Sequence, residues 1–332
     1  MTKSSVTQGG GWFFYSNSPE VIDGSGIADN GYYLNHVTNL VGTGQLYVWH
    51  QNAPVNADLK HEILIYNPNA KSITVTPTNV GLTNGSWDDV NAWTSFWNST
   101  TVPAVTVPAK GYAALFKRTI PSGNPFGVLA RMNVKYTDGT GDAAIDLYDL
   151  MWYNDSLSGN AHAFAAADPV SSMRARGYAT TGYFNYVNLN QVNISSTNPM
   201  PAFKIGASGD TFAGADLPFI HDPSGVTTGV LEGAYGCQQY LSIPVKNTDT
   251  VSRTIRIFAV NDNNSDIYIN AYGYGGNTAP SGTNGKLNPG QYFDMFEDTL
   301  AAGASATYTF QFVTPAGSSG GTTVGVRVVG LT

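Results

Sequence analysis

Charge is scarce in this chain of 332 residues: only 12% are Asp, Glu, Lys or Arg, about half the ~25% usual in soluble domains. That scarcity argues against a coiled coil and against a charge-rich disordered chain. No basic excess exists either, since the formal net charge is −7, and neither half of the sequence is basic. General nucleic-acid binding, which depends on Lys and Arg neutralising phosphates, is therefore disfavoured. Cysteine is almost absent. The single Cys237 excludes an intrachain disulfide and a cysteine-based zinc site, and with no base within six residues it reads as a small buried apolar side chain. Long apolar runs are missing as well, so no segment is expected to span a bilayer. The opening Met1–Gly9 lacks the apolar core of a secretory leader.

What the sequence does have is uncharged polarity, 37 Gly and 17 Pro. Short runs alternate apolar and polar residues between Gly, Pro, Asn and Asp clusters. Ile73 and Val75 alternate with Thr74 and Thr76, and Ile255 and Ile257 with Thr254 and Arg256. Tyr308, Phe310 and Phe312 alternate with Thr307, Thr309 and Gln311, and Val324, Val326 and Val328 with Gly325 and Arg327. A period of two places alternate side chains on opposite faces of a sheet, and many short strands at turn-marked spacing indicate sandwiches or barrels. The expected fold is all-β: two β-sandwich domains of Ig-like or jelly-roll-like type with at most one or two short helices. Length supports two cores, placed at 1–165, with an N-terminal arm at 1–15, and at 166–332.

A weak internal repeat supports related domains. Ile63–Tyr66, the turn Asn67-Pro68-Asn69-Ala70 and a returning strand from Ile73 match Leu241–Val245, Asn247-Thr248-Asp249-Thr250 and a strand from Thr254. Each half then has a small-residue turn, Pro108-Ala109-Lys110-Gly111 and Ala301-Ala302-Gly303-Ala304. Only Ser86–Trp97 looks helical. Ser86 and Asp89 resemble a capping box, and Trp87, Val90, Trp93 and Trp97 share a face. That aromatic face either plugs the open end of a sandwich or forms an exposed contact patch.

Catalytic motifs are missing. There is no G-x-S-x-G elbow, Walker loop or dinucleotide fingerprint, and His36, His50, His61, His162 and His221 form no metal-binding pair in sequence. Strands could still gather His36, His50 and His61. Asp262, Asn264 and Asp266 reproduce the first oxygen ligands of a calcium loop, but Ile267 stands where glycine is needed and no closing Glu follows. The loop therefore reads as a solvated turn, with calcium as the cofactor it would take if it were a site. The aromatic residues Trp12, Phe13, Trp87, Trp93, Trp97, Tyr272 and Tyr274 are the candidate interface or ligand patch.

Phe14-Tyr15-Ser16-Asn17-Ser18-Pro19-Glu20 and Gly44-Gln45-Leu46-Tyr47-Val48-Trp49-His50-Gln51-Asn52 resemble an opening found in secreted Firmicute "copper amine oxidase-like" or stalk-domain proteins. Tyr235-Gly236, Pro289-Gly290 and Thr314–Ser319 resemble that family's second half. The resemblance implies a secreted or envelope-associated β-rich protein of a kind generally without demonstrated enzymatic activity. It carries over no copper centre, because no His-x-His exists and Asn185-Tyr186 is followed by Val187 rather than an acid.

Two functions fit this sequence. The first is a non-enzymatic structural protein that associates with its own copies into a surface layer, fibre, coat or protein crystal through sandwich surfaces and the N-terminal arm. Low charge weakens repulsion between copies. The alternative is a carbohydrate- or cell-wall-binding module using loop aromatics. Expected partners are other copies of the chain and a wall glycan, with no nucleic acid. The expected location is extracellular or on a cell or spore surface, with an intracellular crystalline inclusion as the alternative because no leader is evident.

Overall fold

The computed structural model describes residues 7–22, 32–54, 57–87, 89–153, 165–166, 175–186, 189–205, 219–222, 229–231, 234–272, 283–314 and 321–331. The chain is nearly all strand and forms two compact units. One comprises Gly10–Gly182 with Phe219–Gly229; the other comprises Met1–Gly9, Tyr183–Pro218 and Val230–Thr332.

Strands are numbered in chain order. In the first unit a seven-stranded sheet runs β13 (Arg176–Ala179), β2 (Trp12–Ser16), β5 (Thr43–Asn52), β10 (Pro125–Tyr136), β7 (Ile73–Asn84) and β8 (Val105–Val107), with β3 (Val21–Ile22) also beside β5. A five-stranded sheet runs β12 (Ala165–Ala166), β4 (Tyr32–Val41), β11 (Ala144–Trp152), β6 (Leu59–Tyr66) and β9 (Tyr112–Ile120). In the second unit the larger sheet runs β1 (Thr7–Gly9), β14 (Tyr183–Tyr186), β19 (Gln238–Asn247), β24 (Ser305–Val313), β21 (Ile267–Tyr272) and β22 (Thr283–Leu287), with β15 (Val192–Ile194) beside β19. The smaller one runs β16 (Ala202–Ile205), β25 (Thr322–Val328), β20 (Arg253–Val260) and β23 (Tyr292–Leu300). A separate pair is β17 (Phe219–Ile220) with β18 (Gly229–Val230).

The two units share one strand order, including a parallel entry strand: Ile22 lies beside Asn52, and Ile194 beside Asn247. Four buried asparagines build the same two corners in both units. Asn52 Nδ2 donates to the Ala57 and Ile120 carbonyls at 2.9 and 3.1 Å, and Asn247 Nδ2 to Val251, Leu300 and Ala301 at 2.8, 3.0 and 3.1 Å. Asn67 Nδ2 donates to Lys71 and Val107 at 2.9 and 3.0 Å, and Asn261 Nδ2 to Ser265 and Leu287 at 2.8 and 2.9 Å. Each amide thus caps a turn and ties it to the end of a distant strand, satisfying carbonyls that sheet pairing leaves open.

These bonds also correct the repeat as read from sequence. Asn67 corresponds to Asn261, not to Asn247. Asn69 and Asn263 each donate a backbone N–H to that preceding asparagine at 2.9 Å, and each reaches a far carbonyl, Ala144 at 2.7 Å and Gly321 at 2.8 Å. The hairpins themselves are too generic to have fixed that alignment.

The unit boundary falls after Gly182 rather than at 165, because β13 pairs with β2 through Arg176↔Ser16 to Ala179↔Phe13. The arm also divides. β1 pairs antiparallel with β14 of the same chain, whereas Trp12–Ser16 is a fully buried strand. An arm free to reach another copy is therefore not what residues 7–15 form.

The expected strands at 73–76, 254–259, 307–312 and 324–328 all form, with Ile73, Val75, Ile255, Ile257, Tyr308, Phe310, Phe312, Val324, Val326 and Val328 buried. The helix α1 spans Val90–Trp97 and is capped at Asp89, with no side-chain capping bond. Ser86 lies before it. The helix lies across a sheet face on β7, where a Cβ at Gly81 would stand 2.0 Å from the Ala92 carbonyl oxygen. Among the described residues no helix is long and apolar enough to cross a membrane.

Candidate functional site

Strand β11 carries two different chemistries, one on each face. Leu147, Asp149 and Met151 point into the sandwich of the first unit, whereas Asp146, Tyr148 and Leu150 lie on the other side.

On the inner side, Asp149 is fully enclosed between two imidazoles. Its Oδ2 is 2.9 Å from His50 Nε2, and its Oδ1 is 2.8 Å from His61 Nε2. Burial alone would raise the Asp149 pKa, but the His50 charge and the hydrogen bonds from both rings outweigh it and hold the carboxyl well below the usual range. His50 Nδ1 is 2.6 Å from the Pro19 carbonyl, so both of its nitrogens face acceptors. Arg118 Nε donates to His61 Nδ1 at 3.3 Å, which leaves His61 neutral with its proton toward Asp149. Burial accordingly drives the His61 pKa down to about 4. Arg118 also donates to the Thr83 and Gly127 carbonyls at 2.9 and 2.8 Å. The cluster binds the two sheets together, as do Asn35, donating to the Tyr15 and Gly177 carbonyls, and Arg176, donating to the Leu34 carbonyl.

Ser16 Oγ lies 3.3 Å from His50 Nε2, yet Ser16, His50 and Asp149 are not a nucleophilic triad. Serine and aspartate approach the same nitrogen, whereas a triad needs the acid on the other one. Ser16, His50, His61 and Asp149 are all 0% exposed, so the cluster offers no surface to a substrate. Of the three histidines that strands could have gathered, two meet here. His36 is on the opposite face of the sheet.

That opposite face is the candidate site. Register sets Asp146 beside Tyr66 and Tyr66 beside Tyr112, and in the next row His36 beside Tyr148. The His36 and Tyr148 rings stack at 3.9 Å with a 9° interplanar angle, Tyr66 and Tyr112 lie 4.6 Å apart, and Tyr33 meets Tyr148 edge-on at 6.2 Å. Tyr112 is exposed and the other four rings are half-buried. Asp146 Oδ1 accepts the Asn39 backbone N–H at 2.9 Å. Burial lowers the His36 pKa despite the opposing charge of Asp146, and burial with Tyr66 and Asp146 raises that of Tyr112. The hydroxyls therefore stay protonated and the imidazole stays neutral near pH 7. The result is a shelf of half-buried rings, His36 and Tyr148 packed face to face and Tyr112 exposed, with the Asp146 carboxylate beside them.

Further along the same face the side chains are buried. Leu64, Leu150 and Trp152 cluster beside Glu62, whose two oxygens have no hydrogen-bond partner. Burial raises Glu62 to about 7, opposed by Lys117 at 4.0 Å. Lys117 itself lies 5.5 Å over the Trp152 ring.

The aromatic residues singled out from sequence scatter. Trp93, Trp97, Trp12 and Phe13 are core, at 0–7% exposure, and of the helical set only Trp87 is exposed, at 55%. Trp87 lies 6.2 Å from the buried Trp49. Tyr274 and the Tyr272 side chain lie outside the described residues. In the proposed calcium loop, Asp262 pairs with Lys204 at 2.9 Å and Asp266 with Lys286 at 2.7 Å, while Asn264 is exposed. Two of the three oxygen donors are thus engaged by lysines. Cys237 is buried, and burial pushes its thiol pKa up.

Sequence reading missed the tyrosine shelf because its members come from four strands. The one available signal was the polar-side tyrosines of alternating runs, at Tyr66, Tyr112 and Tyr148.

No family model matches the chain, and no curated protein matches it. Solved structures resemble it only loosely. A tandem CBM22-1–CBM22-2 domain of Paenibacillus barcinonensis Xyn10C aligns over 98% of this chain and 99% of its own, at 11% identity and a TM-score of 0.17. The PBSX exported protein XepA aligns over 90% and 86%, at 10% identity and a TM-score of 0.18. Likenesses this weak leave function to be argued from the site itself.

Proposed function

We propose that the protein is a non-enzymatic carbohydrate-binding protein whose binding surface is the tyrosine shelf of the first unit. The observation that carries this reading is the row Asp146–Tyr66–Tyr112 beside His36–Tyr148 on the outer face of a sheet. Pyranose rings have flat apolar faces that stack on aromatic rings and hydroxyl edges that bond to carboxylate, phenol and imidazole groups. The histidine–aspartate cluster supplies no competing catalytic reading, because it is sealed from solvent. Work at a polysaccharide surface, outside the cell or on a cell or spore wall, follows from such a ligand. Retention of the full chain on insoluble wall glycans, and its loss in Tyr66→Ala and Tyr112→Ala, is the expected result. A chain that none of a glycan panel retards, or whose retention survives both substitutions, overturns the reading.

Self-association is the second reading, now without the arm. Among the described residues, β9 and β23 each end a sheet and are nine residues long. Another copy could add a strand to either edge by backbone pairing. Light scattering that grows with concentration supports it; a monomer at every concentration refutes it.

A further inference from the structure

We infer that the tyrosine shelf selects cationic glycans and takes the ammonium group of an N-deacetylated amino sugar. The inference rests on the glycan reading above and adds the charge of the ligand.

Asp146 is the charged group at the centre of the shelf, and among the described residues no Lys or Arg pairs with it. Asp146 opposes the lowering of the His36 pKa and contributes to the rise of those of Tyr112 and Tyr148. Asp146 thus bears on all three rings as a negative charge. His36, kept neutral by burial, does not offset it. Aromatic faces attract cations through their quadrupole, so the tyrosine rings and the carboxylate favour the same sign of ligand charge.

The second unit holds an internal comparison. Tyr292 begins β23 as Tyr112 begins β9. The Arg327 guanidinium lies 5.3 Å over the Tyr292 ring and is held there by Asp294 at 2.7 and 3.0 Å. The equivalent tyrosine of the duplicate is therefore already covered by a cation from its own chain. In the first unit the position of Arg327 is occupied by Leu150, and among the described residues no cation lies over Tyr112, Tyr66, Tyr148 or Tyr33. Of the shelf, only Tyr112 has a ring counterpart in the second unit, and that ring is covered.

The test is calorimetric titration of the full chain at about pH 6.5, where an amine of ordinary pKa is charged. Glucosamine hexamer and N-acetylglucosamine hexamer, which differ in the charged nitrogen, are compared. The glucosamine hexamer is expected to bind about ten-fold more tightly, a difference of about 1.4 kcal/mol, and salt should weaken it selectively. Asp146→Asn, whose amide oxygen still accepts the Asn39 N–H, should abolish the preference, bringing the two hexamers to equal affinity, with an unchanged thermal midpoint. Equal affinities in the native chain, or a preference that survives Asp146→Asn, overturn the charge inference and leave the glycan reading standing. Binding of neither hexamer, with no other glycan retained, overturns both.

Discussion

Ten strands of each unit follow the same order, yet their cores solve the same packing problem in opposite ways. His50 lies two residues before Asn52, as Val245 lies before Asn247. His61 precedes Asn67 by six residues, as Ile255 precedes Asn261. Asp149 pairs with Ile63, as Val326 pairs with Ile257. The first unit therefore places two imidazoles and a carboxylate where the second places Val245, Ile255 and Val326, all fully buried. The fold does not require the charges, since its duplicate forms without them. Buried charge is costly unless every partner is present, and here each proton has an acceptor.

The outer faces of the smaller sheets are reversed in character. The first unit's is aromatic, whereas the second carries Arg256 bound to Asp294 and Glu297 at 2.9 and 2.6 Å, with Arg327 on the same Asp294. The two units thus share backbone pairing and asparagine corners but differ in the chemistry of both sheet faces.

Breaking the charged core alone should separate the units most. Asp149→Ala removes the shared partner of two buried imidazoles and should cost about 3–5 kcal/mol, seen in the unfolding transition of the first unit. Combining His50→Val, His61→Ile and Asp149→Val with Arg118→Leu copies the apolar solution and should recover most of that loss. A quadruple variant as unstable as Asp149→Ala would show that the cores are not interchangeable.

Acid should part the units next. The folded pKa of His61 lies near 4, below the ordinary 6.5, so the unfolded chain binds its proton first. Stability is complete above about pH 6.5 and declines as pH falls toward 4, by on the order of 3 kcal/mol. Asp149, also depressed, extends the loss below the ordinary carboxylate range. All six tryptophans, at 12, 49, 87, 93, 97 and 152, lie in the first unit, so indole fluorescence reports its melting alone. Hydrogen exchange at β19 and β20 reports the second. Simultaneous acid unfolding of both would contradict the assignment.

A corner asparagine should matter equally in either unit. Asn67→Ala and Asn261→Ala each strand several carbonyls and should each cost about 1–3 kcal/mol. A cost confined to one unit would mean the corners have diverged as well. Glu62 should give the smallest effect and one of opposite pH sign. Its folded pKa is raised from 4.5 to about 7, so stability complete below about pH 4.5 is lost as pH rises through 7. Glu62→Gln should raise the melting temperature at pH 8 and leave it unchanged at about pH 4.

Alternation of residues settled much of this architecture before any coordinates. Ile73–Val75, Ile255–Ile257, Phe310–Phe312 and Val324–Val328 announce their strands because a sheet has two faces and each needs its own chemistry. Low charge, one cysteine and frequent turn residues fixed the class. Register and neighbourhood lay beyond that local code. Whether Asn67 answers Asn247 or Asn261, and whether residues 7–9 extend their own unit or the other, depends on hydrogen bonds between segments far apart in sequence. The shelf has the same origin: Tyr33, His36, Tyr66, Tyr112, Asp146 and Tyr148 become neighbours only when four strands pair. A single strand can fix which face a side chain takes, but pairing decides what stands beside it.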